Sequence, residues 1–358
     1  MADNVLCPVL VRRDDQLGAL EHALLEARRG DSRFVLLAGE AGMGKTRLAT
    51  VLADEARRLG TTVLWGSCSE AELALPYLPF VEAVGNFVGP RPDEGLAAQL
   101  GPARRELAQL FPQLGDPAAA DAGDPAQAKL RLYEAFVALL AIAGENGLLI
   151  VVEDVHWADS STLELLDHVV RRLSALSALV LVTYRSDEVH RRHPLLPSLQ
   201  AWRRSPAAET VKLGALPPEG TAEMIAAIFD SREVGDEFAG FMHARTEGNP
   251  FVLEEMLKEA LDRGDVFRTA HGWERKALED LRVPDTVRDT ILLRLDRLGA
   301  DHASVSRRRR CSAARSTTPR CSRPPAPGRD RCTRRSRPPS PSSSSRSSAQ
   351  AAIAGGTR

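Results

Sequence analysis

Gly39-Glu40-Ala41-Gly42-Met43-Gly44-Lys45-Thr46 follows the apolar run Phe34-Val35-Leu36-Leu37-Ala38 and leads into Arg47-Leu48-Ala49-Thr50-Val51-Leu52-Ala53. The spacing G-x-x-x-x-G-K-T, between a buried strand and the start of a helix, is the pattern of a phosphate-binding loop, or P-loop. Glycine lacks a Cβ, so the backbone N–H groups of residues 39–44 can converge on phosphate oxygens. The helix N-terminus adds unpaired donors and a partial positive charge. Lys45 is expected to reach the β- and γ-phosphates, and the Thr46 hydroxyl to ligate Mg²⁺. Arg47, in the first helical turn, joins this phosphate-facing set. A nucleoside triphosphate is the expected ligand.

A second element supports that expectation. Leu148-Leu149-Ile150-Val151-Val152-Glu153-Asp154 is an apolar strand that ends in two carboxylates, the form of a Walker B element. In a P-loop fold its C-terminal end lies near the same phosphates. Glu153 is then expected to hold Mg²⁺, directly or through water, and Asp154 to orient or deprotonate the attacking water. The first acid of such a pair is usually Asp, so a Glu at 153 leaves the division of roles open.

The chain has 358 residues, enough for about two domains and a sizeable core. With 43% hydrophobic and 27% charged residues it has the composition of a soluble protein. No apolar run approaches the roughly 20 residues of a membrane span, and the N-terminus has neither basic nor apolar signal regions. Cys7 and Cys68 are the only cysteines in the first 300 residues, which suits a reducing cytoplasm.

Alternation of apolar strands with helical patterns argues for an α/β fold, a parallel sheet with helices on both faces. Strands are expected at 34–38, 62–66, 148–152, 179–184 and 211–213. A helix is expected to precede the first of them, around Leu17 to Leu25. The long insertion between the second and third strands is Pro-punctuated and then helical over 126–143. After Leu213 the pattern turns helical: one helix opens at Pro217-Pro218, a second spans 236–245, and a third runs over 251–261 with Asn249 as N-cap and Pro250 at its first position. The expected division is a P-loop NTPase domain at 1–214, a helical lid at 215–262 and a winged-helix-like unit at 263–300, whose clearest helix is 283–295.

The net charge of −1 conceals an asymmetry. From Val305 onward there are 14 Arg and a single acid, Asp330, a formal +13, so the remainder carries −14. Arg, Pro and Ser leave this tail, 301–358, almost nothing to bury, and disorder is expected. Its composition reads as high-GC codons out of frame, as if the chain were truncated or frameshifted near residue 305. Its three cysteines lack zinc-finger spacing. Nucleic acid is expected to meet the chain only non-specifically, through these arginines.

Val152-Glu153-Asp154-Val155-His156-Trp157-Ala158-Asp159 resembles the extended Walker B of signal-transduction ATPases with numerous domains, the STAND class. The likeness is greatest to the ATPase module of large LuxR-type transcriptional regulators. Val9-Leu10-Val11-Arg12-Arg13-Asp14-Asp15-Gln16-Leu17, Pro76-Tyr77-Leu78-Pro79-Phe80 and Glu247-Gly248-Asn249-Pro250-Phe251-Val252-Leu253-Glu254-Glu255 resemble that class too. The resemblance covers about residues 8–300. It departs at Arg12, where the opening motif usually has Gly. It implies ATP/ADP and Mg²⁺ as cofactors, Arg185 as a sensor of the γ-phosphate, and Pro250 against the adenine or ribose. His156 and Trp157 read as a structural turn, with Ser161 and Glu164 as a capping box beyond it.

The function these features imply is a cytoplasmic, slowly hydrolysing ATPase switch that self-associates in its ATP state in response to an unknown inducer. A relative of full length would carry a C-terminal helix-turn-helix, and no such pair of helices is legible here. A DNA-binding transcription factor as it stands is therefore the second reading. The ATPase module of a nucleotide cyclase-type signalling protein is the third, although a cyclase domain would normally precede the P-loop.

Overall fold

The computed structural model describes residues 7–70, 76–89, 93–116, 124–231, 234–269 and 272–278. Helix α1 (Asp14–Arg28) leads into β1 (Arg33–Gly39), which the P-loop joins to α2 (Lys45–Arg58) and β2 (Thr62–Ser67). The insertion contributes α3 (Leu78–Val88), α4 (Asp93–Leu100), α5 (Ala103–Leu107) and the long α6 (Pro125–Ala143). Then come β3 (Leu148–Glu153), α7 (Ser160–Arg171), β4 (Ala178–Arg185), α8 (Leu196–Trp202) and β5 (Ala208–Leu213). All five strands expected from the sequence are present, each within a few residues of its expected bounds.

They form one parallel sheet in the order β2-β3-β4-β1-β5. The Walker B strand β3 is thus separated from the P-loop strand by β4. Side chains on a strand alternate between faces, and the two faces bury separate clusters. Phe34, Leu36, Ile150, Val152, Val180 and Val182 point to one side and pack on α3, α6, α7 and α8. Val35, Leu37, Leu149, Val151, Leu179 and Leu181 point to the other, against Leu20 and Leu24 of α1 and Leu48 and Leu52 of α2. A parallel sheet covered on both faces needs such unbroken apolar strands, and each fully buried Leu or Val stabilises the fold by about 1.5–3 kcal/mol. The insertion helices pack to one side of the sheet.

Gly66 marks a close approach. A Cβ there would stand 1.8 Å from the carbonyl oxygen of Pro79, so only glycine lets α3 lie against β2. Beyond the strand β3, α7 begins at Ser160 and is capped by Asp159, whose carboxylate accepts from the backbone N–H of Ser161 and Thr162. This corrects the expected capping box at Ser161 and Glu164. Asp159 stands one residue before the helix with extended backbone, the conformation a capping side chain needs, whereas the Glu164 carboxylate pairs with Lys129.

After β5 come α9 (Pro218–Phe229), α10 (Asp236–Thr246) and α11 (Pro250–Asp262), around their own core of Met224, Ile225, Phe238, Met242, Leu253 and Leu257. An antiparallel hairpin, β6 (Val266–Thr269) and β7 (Gly272–Arg275), follows. The expected helix at 283–295 and the basic tail lie outside the described residues. No described helix is long and apolar enough to cross a membrane. Cys7 and Cys68 are both buried free thiols.

Candidate functional site

The loop between β1 and α2 folds as its glycines allow. Gly42 has φ 81° and Gly44 φ 91°, values that cost other residues a Cβ clash. Lys45, the first residue of α2, is buried, and its ammonium donates to the carbonyls of Gly39 and Glu40, both at 2.8 Å. Three N–H donors belong to an ammonium, so this arrangement fixes the group over the loop with one donor beyond those two bonds. Burial lowers the Lys45 pKa from its ordinary value, and Asp154 opposes that shift.

Glu153 ends β3 and is 8% exposed. Its Oε2 accepts from the Trp65 indole N–H at 3.1 Å. Burial raises the carboxyl above the ordinary carboxylate range, while the neighbouring Thr46 hydroxyl and the Trp65 N–H pull it down. Its other oxygen, Oε1, is enclosed and has no hydrogen-bond partner. A buried carboxylate oxygen without a partner is costly. Beside the Thr46 hydroxyl it supplies the hard oxygen donor that a Mg²⁺ ion takes, so the residues present fit the ion.

Asp154 is held differently. It adopts φ 51° between β3 and a short turn, Val155–Trp157, and its N–H donates to Thr183 Oγ1 at 3.0 Å. Burial raises its carboxyl, and Arg185 and Lys45 lower it. Arg185 closes β4 in register with Gly39. Its guanidinium donates to Glu188 Oε1 at 2.6 Å and lies 4.5 Å over the Trp157 ring. His156 is buried in the turn, as the structural reading expects. Its Nδ1 accepts the Arg185 N–H at 3.4 Å, and its Nε2 stands 3.4 Å from Glu188 Oε2, outside hydrogen-bond geometry. Burial pushes the imidazole down to about 4, so it is neutral at pH 7.

The N-terminal segment and α11 close the other side of the loop. Asn249 caps α11, its Oδ1 accepting from Phe251 and Val252 N–H, while its Nδ2 donates to the Ala41 carbonyl at 3.0 Å. The Phe251 N–H also donates to the Gly42 carbonyl at 3.3 Å. A Cβ on Gly42 would meet Asn249 Oδ1 at 2.5 Å. Arg47 donates to the carbonyls of Cys7 and Val9 at 2.5 and 2.9 Å, which fixes the incoming chain rather than aiming the guanidinium along the loop. Between these parts a small cleft is lined by Val9, Val11, Met43, Leu216, Met224 and Pro250.

The structure therefore brings Lys45, Thr46, Glu153, Asp154 and Arg185 to one end of the sheet, with Pro250 at the cleft beside Met43 and Gly44. Sequence reasoning missed four contributors. Trp65 meets Glu153 across 88 residues, and Glu188 holds Arg185. Buried Arg13 donates to the Gly214 carbonyl at 2.6 Å. Thr183 was detectable as a lone hydroxyl in the apolar strand Leu179-Val180-Leu181-Val182.

Parallel strands in this order, with a glycine-rich loop, a buried lysine and a carboxylate pair at their C-terminal ends, define a P-loop NTPase fold. Residues 9–182 match the family model described as an AAA ATPase domain. An uncharacterised protein of Rhizobium meliloti (strain 1021) is 24% identical over 246 residues, 63% of this chain and 23% of that protein. The aligned region thus spans under a quarter of its curated relative. Among solved structures, a Walker-type ATPase of Pyrococcus abyssi is 14% identical, with a TM-score of 0.47 over 84% of this chain and 76% of that one. A Pyrococcus horikoshii signal transduction ATPase with numerous domains and a tetratricopeptide-repeat sensor is 16% identical, with a TM-score of 0.40 over 70% and 30% of the two chains.

Proposed function

We propose that this chain is the ATP-binding regulatory module of a STAND-class bacterial transcriptional regulator, a switch set by its bound nucleotide. The observation that carries the ATP site is the trio of buried Lys45, Thr46 and the unpartnered Glu153 Oε1. Lys45 and the loop N–H groups would hold the phosphates. Thr46 and Glu153 would hold Mg²⁺, whose charge offsets that of the phosphate oxygens. Asp154 would orient the attacking water and accept its proton, and Arg185 would contact the γ-phosphate. The cleft at Pro250 would take the base, between the N-terminal segment and the helical part.

In this reading residues 1–214 form the NTPase domain, 215–262 a lid, and 263–300 a winged-helix-like unit. Asn249 bonds to Ala41, so a nucleotide that moves the loop would move the lid with it. Self-association in the ATP state and a LuxR-type output are what the resemblance of the opening and Walker B segments implies.

The two acids give the test. Asp154→Asn should keep nucleotide affinity and lower hydrolysis about 100-fold or more, since an amide cannot accept the water's proton. Glu153→Gln should instead remove the Mg²⁺ dependence of binding. Reversed phenotypes would exchange the two roles, and two silent variants would refute the site.

A further inference from the structure

Glu188 sits three residues beyond the end of β4, half-exposed, and faces two groups of the site. Its Oε1 accepts from Arg185 Nη1 at 2.6 Å and its Oε2 stands 3.4 Å from the buried His156 ring. Trp157 lies under the same guanidinium at 4.5 Å, so Arg185 is held in one place by a face and a counter-ion. Its backbone is paired with Gly39, where the P-loop begins, and its charge is felt at both Lys45 and Asp154. Arg185 is thus oriented at the phosphate end with a carboxylate already on it.

We infer that Glu188 is a specificity-determining residue, an internal counter-ion that occupies Arg185 until the γ-phosphate of a nucleoside triphosphate displaces it. This rests on the ATP site proposed above. A guanidinium binds carboxylate and phosphate oxygens with the same fork of N–H donors, so the two anions compete for it. A γ-phosphate carries more charge than a carboxylate, and the Glu188 side chain is 36% exposed, free to turn to water once released. A diphosphate lacks the competing group and leaves Arg185 on Glu188. The competition therefore lowers affinity for the triphosphate alone.

The experiment is a titration of the full chain with ATP and with ADP, both with Mg²⁺, for wild type, Glu188→Gln, Glu188→Ala, Arg185→Ala and the Glu188→Gln/Arg185→Ala pair. Folding of each is checked by thermal denaturation. Both Glu188 variants should tighten ATP about three- to tenfold and leave ADP unchanged. That gain should vanish in the Arg185→Ala background. Equal shifts for ATP and ADP, no shift for ATP, or a gain that persists without Arg185 would each overturn the inference. Failure of the wild type to bind either nucleotide would instead refute the site reading on which it depends, and the inference with it.

Discussion

The sheet and the helices after it meet the P-loop by different physics. Strands β1, β3 and β4 are covered on both faces, so the carboxylates at their ends are carried by two apolar clusters. Helices α9–α11 have a core of their own, and they reach the loop through polar contacts, at Ala41 and Gly42 from Asn249 and Phe251. Between core and loop, packing fixes position and leaves little freedom. Between helices and loop, a few hydrogen bonds of about 1 kcal/mol net each set the geometry. The first kind of contact suits a site that must stay in place, and the second suits a part whose position a ligand can change.

Damage to the sheet side should have the largest effect. Gly66→Ala places a methyl group against the Pro79 carbonyl at 1.8 Å, with backbone on both sides and no side chain to yield. We expect a loss of about 3 kcal/mol or more, the upper range for overpacking, seen as an early midpoint in chemical denaturation. A loss under about 1 kcal/mol would mean that α3 is not fixed against β2.

His156 sharpens the same side through pH. Burial takes its pKa from 6.5 to about 4. Between those values the unfolded chain binds more protons than the folded one, so stability rises with pH across this window and is lost as pH falls through it. The contribution is on the order of 2–3 kcal/mol. Denaturation series from pH 4 to 7.5 should show a steep acid limb in the wild type and a flatter one in His156→Gln. Parallel limbs would remove His156 from the account.

On the helical side the expected effect is smaller and differently distributed. Asn249→Ala removes both the cap of α11 and the bond to Ala41, at a cost of about 1–2 kcal/mol. Hydrogen exchange should speed up in α11 while β1, β3 and β4 keep their protection. If the sheet loosened equally, the two regions would be one cooperative unit.

How legible each region was in the sequence follows the same division. The strands were readable because two-sided burial demands continuous apolar runs, as in Leu148 to Val152 and Leu179 to Val182. The P-loop was readable because backbone approach to phosphate dictates glycine at fixed positions. Asn249 was legible as a cap, a local matter, while its second bond to Ala41 was not, because no local pattern encodes a contact 208 residues away. Trp65, 88 residues from Glu153, was missed for the same reason. Glu188 is only three residues from Arg185, and it was missed because a loop after a strand, unlike a helix, sets no fixed side-chain spacing. Capping at α7 was misread because Asp159 and Ser161 are both capable caps, and only backbone conformation chooses between them. Arg12 was flagged where the resembling family has Gly, and it stands at φ 50°, a conformation that favours glycine. Its ion pair with Glu223 joins the N-terminal segment to α9 at that strained position.

The most direct measurement of the central claim is ATP affinity in the wild type and in Lys45→Ala, by fluorescent-analogue or calorimetric titration with and without Mg²⁺. Lys45 supplies the buried cation over the loop, and its loss should weaken binding about 100-fold or more in a variant that still unfolds cooperatively. A folded Lys45→Ala chain that binds ATP as tightly as the wild type would contradict the account.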